Sequence, residues 1–422
     1  MGNFLLRSDN VEKSSFIWNM TGSMLVAFQS VILLMIITRT VGLIEAGIFT
    51  IAYANANLFL NIGKYGMRNF QVSDVTRQFS FSEYHMSRRI TTLAMLIVSM
   101  IYVLWSAFAN EYSLEKTAII IWMCIFKLPD AIEDVYYGDY QKKGRLDVGG
   151  KALALRLFFT LILFSICLVV FKNLLWSLRI ATVATFLIMI YFIGVTKREF
   201  YEEPYKDNRN VVTLLKQCFP LAMGAFLSFY IGNAPKYAID SMLSDEIQAC
   251  YGFIAMPVFV IGLLNGFIFN PILYKISALW NQNKIKEFLS RVVVQVVIIV
   301  LITFICIIGA YIIGIPVLSL LYNTDLSSYK TELMLLLLGG GFLGLTGLLS
   351  TVITIIRCQT GLLYGYGLVA LLAFVFSNPI VSKFQMRGAA LLYVFLMLLL
   401  SICFSAVFIY GVLKNIHRSK TV

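Results

Sequence analysis

Charge is scarce in this chain. Of its 422 residues only 13% are Asp, Glu, Lys or Arg, where a soluble globular protein carries about a quarter. Histidine is scarcer still: His85 and His417 are the two copies, and neither sits in a metal-ligand or nucleophile pattern. No G-x-x-x-x-G-K-[ST] phosphate loop occurs, which excludes ATP hydrolysis by that machinery. The seven cysteines (124, 167, 218, 250, 306, 358, 403) all fall in or beside apolar runs without metal-ligand spacing. They read as small buried hydrophobes rather than as disulfides or a zinc site, and no metal or cofactor is expected. The opening "MGNFLLRSDNVEKSSF" is polar and leads into a full-length apolar segment with no small-residue cleavage site, so the first helix is expected to be retained.

What is abundant is apolar surface. Hydrophobic residues make up 59% of the chain, and the mean hydropathy is +0.82. Runs such as "LITFICIIGAYIIGIPVLSLL" (301–321) and "AALLYVFLMLLLSICFSAVFIY" (389–410) match the roughly 20 residues that cross a hydrocarbon core of about 30 Å as a helix. They exceed the roughly 10-residue alternating strands of an outer-membrane barrel. The sequence therefore predicts an all-α polytopic membrane protein. Twelve spans are expected, near 15–38, 43–66, 89–109, 117–138, 150–171, 177–195, 213–234, 247–269, 292–314, 331–355, 361–381 and 388–412.

An even number of spans puts both ends on one side, and most of the 34 Lys and Arg residues fall in segments on that side. The positive-inside rule makes it the cytosol. The net charge of +12 then reports topology and calls for no nucleic acid partner. The charged stretch "TKREFYEEPYKDNRNVV" (196–212) separates a six-helix lobe, 1–195, from a second, 213–422. An offset of 203 pairs Ala46 with Ala249 and Ile51-Ala52 with Ile254-Ala255, a faint parallel repeat. In "LYKISALWNQNKIKEFLSR" (273–291), Leu273, Ile276, Leu279 and Trp280 share one face, which suits a helix lying in the membrane interface.

Against this apolar background the polar residues inside spans stand out. In "CIFKLPDAIEDVYYG" (124–138), Lys127, Asp130, Glu133, Asp134 and Tyr137 fall within about 120° of a helical wheel, and Pro129 predicts a kink. A charge at the bilayer centre costs about 2.5–3.5 kcal/mol on insertion scales, so a charged face implies function by default. The alternative is a local pair of Lys127 with Asp130 or Asp134, the lower acids already in water. In "AYANANLFLNIGKYGMR" (52–68), Asn57, Asn61, Lys64 and Arg68 occupy about 60° of the wheel, with Tyr53 beside them. They form either a polar path to the cytosolic surface or amide contacts between helices plus two inside-positive charges. Arg156, one turn inside the fifth span, either meets a phosphate or snorkels to the headgroups. Asn233, Lys236 and Asp240 follow an i, i+3, i+7 pattern at the outer end of the seventh span, which Pro235 is expected to interrupt, as a ligand contact or as a cap with a local ion pair. The glycines of "GGGFLGLTG" (339–347) read as close helix packing.

The first external turn, "TRTVGLIEAGIFTIAYA" (38–54), resembles the Arg-x-x-Gly-x-x-x-x-Gly-x-Phe/Tyr pattern of the polysaccharide biosynthesis family of Wzx-type oligosaccharide flippases. Arg39, Gly42, Gly47 and Phe49 fill its positions, with Leu43 where members often carry proline. That family lies within the multidrug/oligosaccharidyl-lipid/polysaccharide exporter superfamily. "KYGMRNFQVSD" (64–74) and "YYGDYQKKGRLDVGGKALALR" (136–156) are similar to capsule-locus members. The resemblance implies two six-helix, MATE-like lobes and a non-enzymatic flippase in the bacterial plasma membrane. Its cargo would be an undecaprenyl-diphosphate-linked oligosaccharide for O-antigen, capsule or exopolysaccharide. Its further partners would be membrane lipids and the pathway's polymerase and glycosyltransferases. On that reading Lys64, Arg68, Lys127 and Arg156 would meet diphosphate, and Asn57, Asn61 and Tyr53 would meet sugar. Asp130, Glu133 and Asp134 would bind a coupling ion, with Arg39, Lys236 and Asp240 as secondary contacts. The rival within the same superfamily is a cation-coupled drug exporter using the same acids. A membrane glycosyltransferase or polymerase would need a large external loop or cytosolic domain to carry catalytic side chains.

Overall fold

A computed structural model of the chain describes residues 2–74, 78–200, 210–269 and 272–420. The fold is all-α. In chain order the helices are α1 (Gly2–Leu6), α2 (Val11–Thr40), α3 (Leu43–Lys64), α4 (Met67–Ser73), α5 (Phe81–Ala109), α6 (Leu114–Phe126), α7 (Leu128–Lys142) and α8 (Leu146–Phe171). They continue as α9 (Leu174–Phe200), α10 (Val211–Met242), α11 (Asp245–Phe269), α12 (Leu273–Asn281), α13 (Ile285–Gly309), α14 (Ile315–Tyr322), α15 (Lys330–Ile355) and α16 (Gln359–Lys420). Among the described residues, ten helical segments are long and apolar enough to cross a membrane.

Three of the expected spans take another form. The fourth is split: α6 and α7 have 13 and 15 residues and meet at Lys127, so neither is long enough alone. Pro129, in the first turn of α7, has no N–H to continue the α6 ladder, which is the physical reason for the break. The eleventh and twelfth form the single long α16, broken at Gln385, whose φ of 50° and ψ of −135° are not helical. Gly388 permits that break, because a Cβ there would lie 2.6 Å from the Ile380 carbonyl oxygen. The stretch 315–330, between the ninth and tenth expected spans, is largely helical. A π-helical turn at Ala310–Gly314 carries α13 directly into α14.

The chain divides into two compact units, Met1–Phe226 and Leu227–Val422; most of 196–212 lies outside the described residues. In the first unit α2 packs on α8, α3 on α5 and α6, and α4 on α7. In the second, α15 packs on α11, α13 and α16. The outward surface is oily: on α13, Val293, Val297, Val300, Leu301, Phe304 and Ile305 are all exposed. So much contiguous apolar surface belongs against lipid tails.

The glycine run packs helices closely. A Cβ on Gly339 would lie 2.5 Å from Tyr393, and one on Gly341 2.6 Å from Thr303. The interfacial helix is corrected. Ile276 and Trp280 of α12 are buried in a protein core with Phe288, Val292 and Val352, and Trp280 packs on Phe288 with ring centroids 4.9 Å apart. Their apolar face is covered by the protein's own helices, not by lipid. Pro235 does not interrupt α10, which is helical throughout Val211–Met242.

The end of the first unit near α4 is fastened by one carboxylate. Asp74 accepts from the backbone N–H groups of Gln78 (2.8 Å) and Phe79 (3.2 Å) and from the Tyr84 hydroxyl (3.0 Å), and Lys142 Nζ lies 3.7 Å away. Burial pushes its pKa up, but the two backbone donors, Tyr84 and Lys142 outweigh that and hold it below the usual carboxylate value. A depressed folded-state pKa adds stability that is present above the unfolded value, about 3.9, and is lost as pH falls through the folded one. The detergent-solubilised protein is therefore expected to lose melting temperature as pH falls below about 4, and Asp74→Asn should flatten that dependence in a thermal unfolding series.

Candidate functional site

The site is built where two helices of the first unit stop in mid-course. Helix α3 ends at Lys64 because Tyr65 (φ 53°) and Gly66 (φ 61°) both adopt the left-handed conformation. Ending a helix releases backbone carbonyls that need new donors. The Gly63 carbonyl finds two: the Arg88 guanidinium and the Thr91 hydroxyl, the latter at 2.9 Å. The chain then restarts as α4, so Arg68 stands on a separate helix from Asn57, Asn61 and Lys64. This corrects the single four-residue row expected from the wheel: the break at Tyr65–Gly66 re-aims Arg68 toward α7.

Arg68 and Arg88 converge on Asp134. Arg88 Nη2 lies 2.7 Å from one carboxylate oxygen, and Arg68 Nη1 lies 3.8 Å from the other. Arg68 also donates to Gln141 Oε1 at 3.0 Å. Arg88 is fully buried, while the Arg68 side chain keeps 29% of its surface accessible. One guanidinium therefore fixes the carboxylate from inside, and the other is presented outward.

The second break is at Lys127. Its ammonium donates to Gln29 Oε1 (2.7 Å) and to Asp130 Oδ2 (3.2 Å), and sits 4.8 Å from the Tyr53 ring centroid. Tyr53 itself reaches Gln29 Oε1 at 3.4 Å. Asp130 is shared, because Arg156 Nη2 donates to its other oxygen. Arg156 Nε donates to Glu133 Oε2 (2.8 Å), Arg156 Nη1 to Thr185 Oγ1 (2.9 Å), and the Tyr137 hydroxyl to the same Glu133 oxygen (2.7 Å). Of the two readings for Arg156, snorkelling fails: the side chain is 1% exposed and its charge is spent on two acids of α7. The local Lys127–Asp130 pair is present, and it is one link of a chain that joins α2, α3, α7, α8 and α9.

Lys64, within electrostatic reach of Asp130, joins Arg68, Arg88, Lys127 and Arg156, so five cations face the three carboxylates Asp130, Glu133 and Asp134. The surplus is two positive charges, and the two accessible cations are Lys64 and Arg68. Two buried polar atoms beside the pairs, Glu133 Oε1 and Gln29 Nε2, have no hydrogen-bond partner among the described residues. Such atoms normally hold water or a ligand.

The remaining predicted residues fall elsewhere. Asn57 and Asn61 are half-buried and donate their amide N–H groups to backbone oxygens one turn back, at 2.8 Å each. Arg39 is exposed at the last turn of α2, about 15 Å along the helix from Gln29 at 1.5 Å per residue. It is not part of the cluster. Its turn depends on Gly42, whose φ of 127° a side chain rarely adopts. Lys236 and Asp240 belong to α10 in the second unit. Sequence reasoning missed Gln29, Arg88, Tyr137's tie to Glu133, and Thr185. Arg88 counts there as a loop charge, because the apolar run begins just after it. Gln29 carries the one usable signal, an amide deep inside an apolar span.

No protein-family model matches the chain. It is 24% identical over 307 residues to the capsular polysaccharide biosynthesis protein CapF of Staphylococcus aureus, covering 71% of this chain and 76% of that one. Solved structures share its fold. The lipid II flippase MurJ in an inward closed conformation matches with a TM-score of 0.71 at 14% identity, covering 96% of this chain and 90% of that one. A multidrug resistance MATE family transporter of the MOP superfamily, inward-facing, matches with a TM-score of 0.70 at 12% identity, over 96% and 99%. The chain shares its fold with these solved membrane proteins.

The ion pairs yield a stability prediction. Arg156→Met strands Asp130 and Glu133 in a buried setting without their shared guanidinium and should cost about 3–5 kcal/mol. Adding Asp130→Asn and Glu133→Gln removes the stranded charges and should restore most of the loss. Thermal unfolding of the three proteins in mild detergent checks this.

Proposed function

We propose that this chain is a flippase that moves an undecaprenyl-diphosphate-linked oligosaccharide from the cytosolic to the outer leaflet of a bacterial plasma membrane, for surface polysaccharide assembly. The observation that carries the proposal is the cation surplus at the α3–α4 break, held inside a membrane-spanning unit. A diphosphate needs fixed positive charge to leave water, and charge-assisted bonds from a guanidinium are among the strongest available. The likeness to CapF supports the polysaccharide assignment.

In this reading Lys64 and Arg68 receive the diphosphate first, and Lys127 and Arg156 form the positive floor behind them. Asp130, Glu133 and Asp134 set the cations' positions and are the groups through which a coupling ion acts. Tyr53, Asn57 and Asn61 offer a ring and two amide oxygens to sugar. Twelve crossings follow when α6–α7 counts as one span and α16 as two, and the basic residues put both ends in the cytosol. The pathway's polymerase and glycosyltransferases are the natural neighbours of such a protein.

The rival reading, a cation-coupled drug exporter, asks for membrane carboxylates free to bind cationic drugs. Here each of the three already has a guanidinium or ammonium partner, which weighs against it.

Deleting the gene and labelling lipid-linked intermediates tests the proposal. Complete repeat units should accumulate on the cytosolic leaflet; incomplete units would point to a glycosyltransferase, and normal surface glycan with altered drug resistance to an exporter. Arg68→Ala and Lys127→Ala should each abolish surface polysaccharide while the protein stays at its normal level in the membrane. Normal polysaccharide in both would remove these cations from the mechanism.

A further inference from the structure

The last third of α10 presents two unlike faces. Ile231, Ala234, Pro235, Ala238 and Ile239 are buried. Tyr230, Asn233, Lys236, Tyr237 and Asp240 are all half-buried, and at 100° per residue they share about 120° on the other side. The accessible face is therefore aromatic and polar. A lipid-facing stripe looks different: on α13 it is wholly apolar and exposed, whereas none of these five residues is classed as exposed.

Lys236 is the unusual member. It is enclosed by protein, about 9 Å of helix from the last residue of α10, yet part of its surface stays accessible. Three buried cations of the first unit's charged cluster each have a carboxylate: Arg88 has Asp134, Lys127 has Asp130, and Arg156 has Asp130 and Glu133. Among the described residues Lys236 has no hydrogen bond or ion pair to any group. Desolvating an ammonium without a counter-charge is costly, and such groups inside membrane spans mark ligand paths. Beside it, Tyr230 and Tyr237 stack nearly parallel, with ring centroids 5.9 Å apart and planes 11° apart. Asn233 spends its N–H on the Phe229 carbonyl (3.0 Å), leaving its side-chain oxygen as an acceptor.

We propose that Lys236, with Asn233 and the Tyr230–Tyr237 pair, is a second recognition subsite that binds an anionic oxygen group, carboxylate or phosphate, adjoining a sugar ring of the cargo. It rests on the flippase reading and deepens it by naming a feature of the cargo that residues of the second unit recognise. The ammonium supplies the missing counter-ion, the stacked rings offer a flat face to sugar C–H groups, and the amide oxygen accepts from a hydroxyl. The anion has two sources, the diphosphate itself or an acidic sugar of the repeat unit.

Binding by the purified full-length chain in nanodiscs distinguishes these. The probes are undecaprenyl diphosphate without sugar, the same lipid bearing a neutral disaccharide, and the same lipid bearing a disaccharide with one uronic acid. Lys236→Gln should weaken binding of the uronate probe about tenfold or more, roughly one charge-assisted contact, and Lys236→Arg should retain most of it. An equal loss for all three probes assigns Lys236 to the diphosphate; a loss confined to the uronate probe assigns it to the glycan. Unchanged binding of every probe by Lys236→Gln overturns the subsite while leaving the flippase reading intact. Failure of the wild-type chain to bind any of them overturns both.

Discussion

Arg156 is the interaction on which the first unit turns. Its guanidinium is buried in a membrane-spanning helix and is tolerable there because two carboxylates of α7 and the Thr185 hydroxyl take up its donors. Those carboxylates are in place because α6 and α7 break at Lys127 and Pro129 prevents the ladder from continuing. Lys127 then bridges from Asp130 to Gln29 on α2. Remove the arginine and Glu133 loses its guanidinium partner while Asp130 is left with Lys127 alone. The positions of α2, α7, α8 and α9 are thus fixed by electrostatics as much as by side-chain packing.

Buried ion pairs stabilise weakly relative to apolar replacements, so five cations and three acids are a poor way to hold helices together. Their value lies in holding charge where water and lipid would otherwise scatter it. The Arg88–Asp134 contact illustrates the point. It fixes the α3–α4 break through the Gly63 carbonyl and leaves Arg68, the outer partner, with surface to spare. Preorganised cations of this kind bind an anion without first having to be ordered. In the second unit Lys236 keeps the company of two tyrosines and an amide, and among the described residues no carboxylate pairs with it.

Much of this was legible in the amino-acid sequence because bilayer thickness and charge cost leave few choices. Apolar run length locates the long helices, and Pro129 inside a charged stretch announces a broken one. What stayed hidden depends on packing or on single dihedral angles. Tyr65 is not a residue that signals a left-handed turn, so the row from Asn57 to Arg68 reads as one helix until its φ is known. The amphipathic stretch at α12 looks like a membrane-surface helix, since nothing local says that α13, α15 and α16 will cover its apolar face. Arg88 and Arg156 both lie near span ends, where snorkelling is the ordinary fate of a long basic side chain. Only the acids that each meets, distant in the chain, keep them inside.

In the proposed function, surplus cations on the first unit carry a lipid diphosphate through the membrane. Reconstituted translocation tests it most directly: the chain in liposomes with a fluorescent undecaprenyl-diphosphate oligosaccharide, read by a membrane-impermeant quencher. The protein should expose lipid from the inner leaflet to the quencher, and an uncharged polyprenol carrying the same sugars should stay put. Equal transport of the uncharged lipid, or none of either, would contradict it.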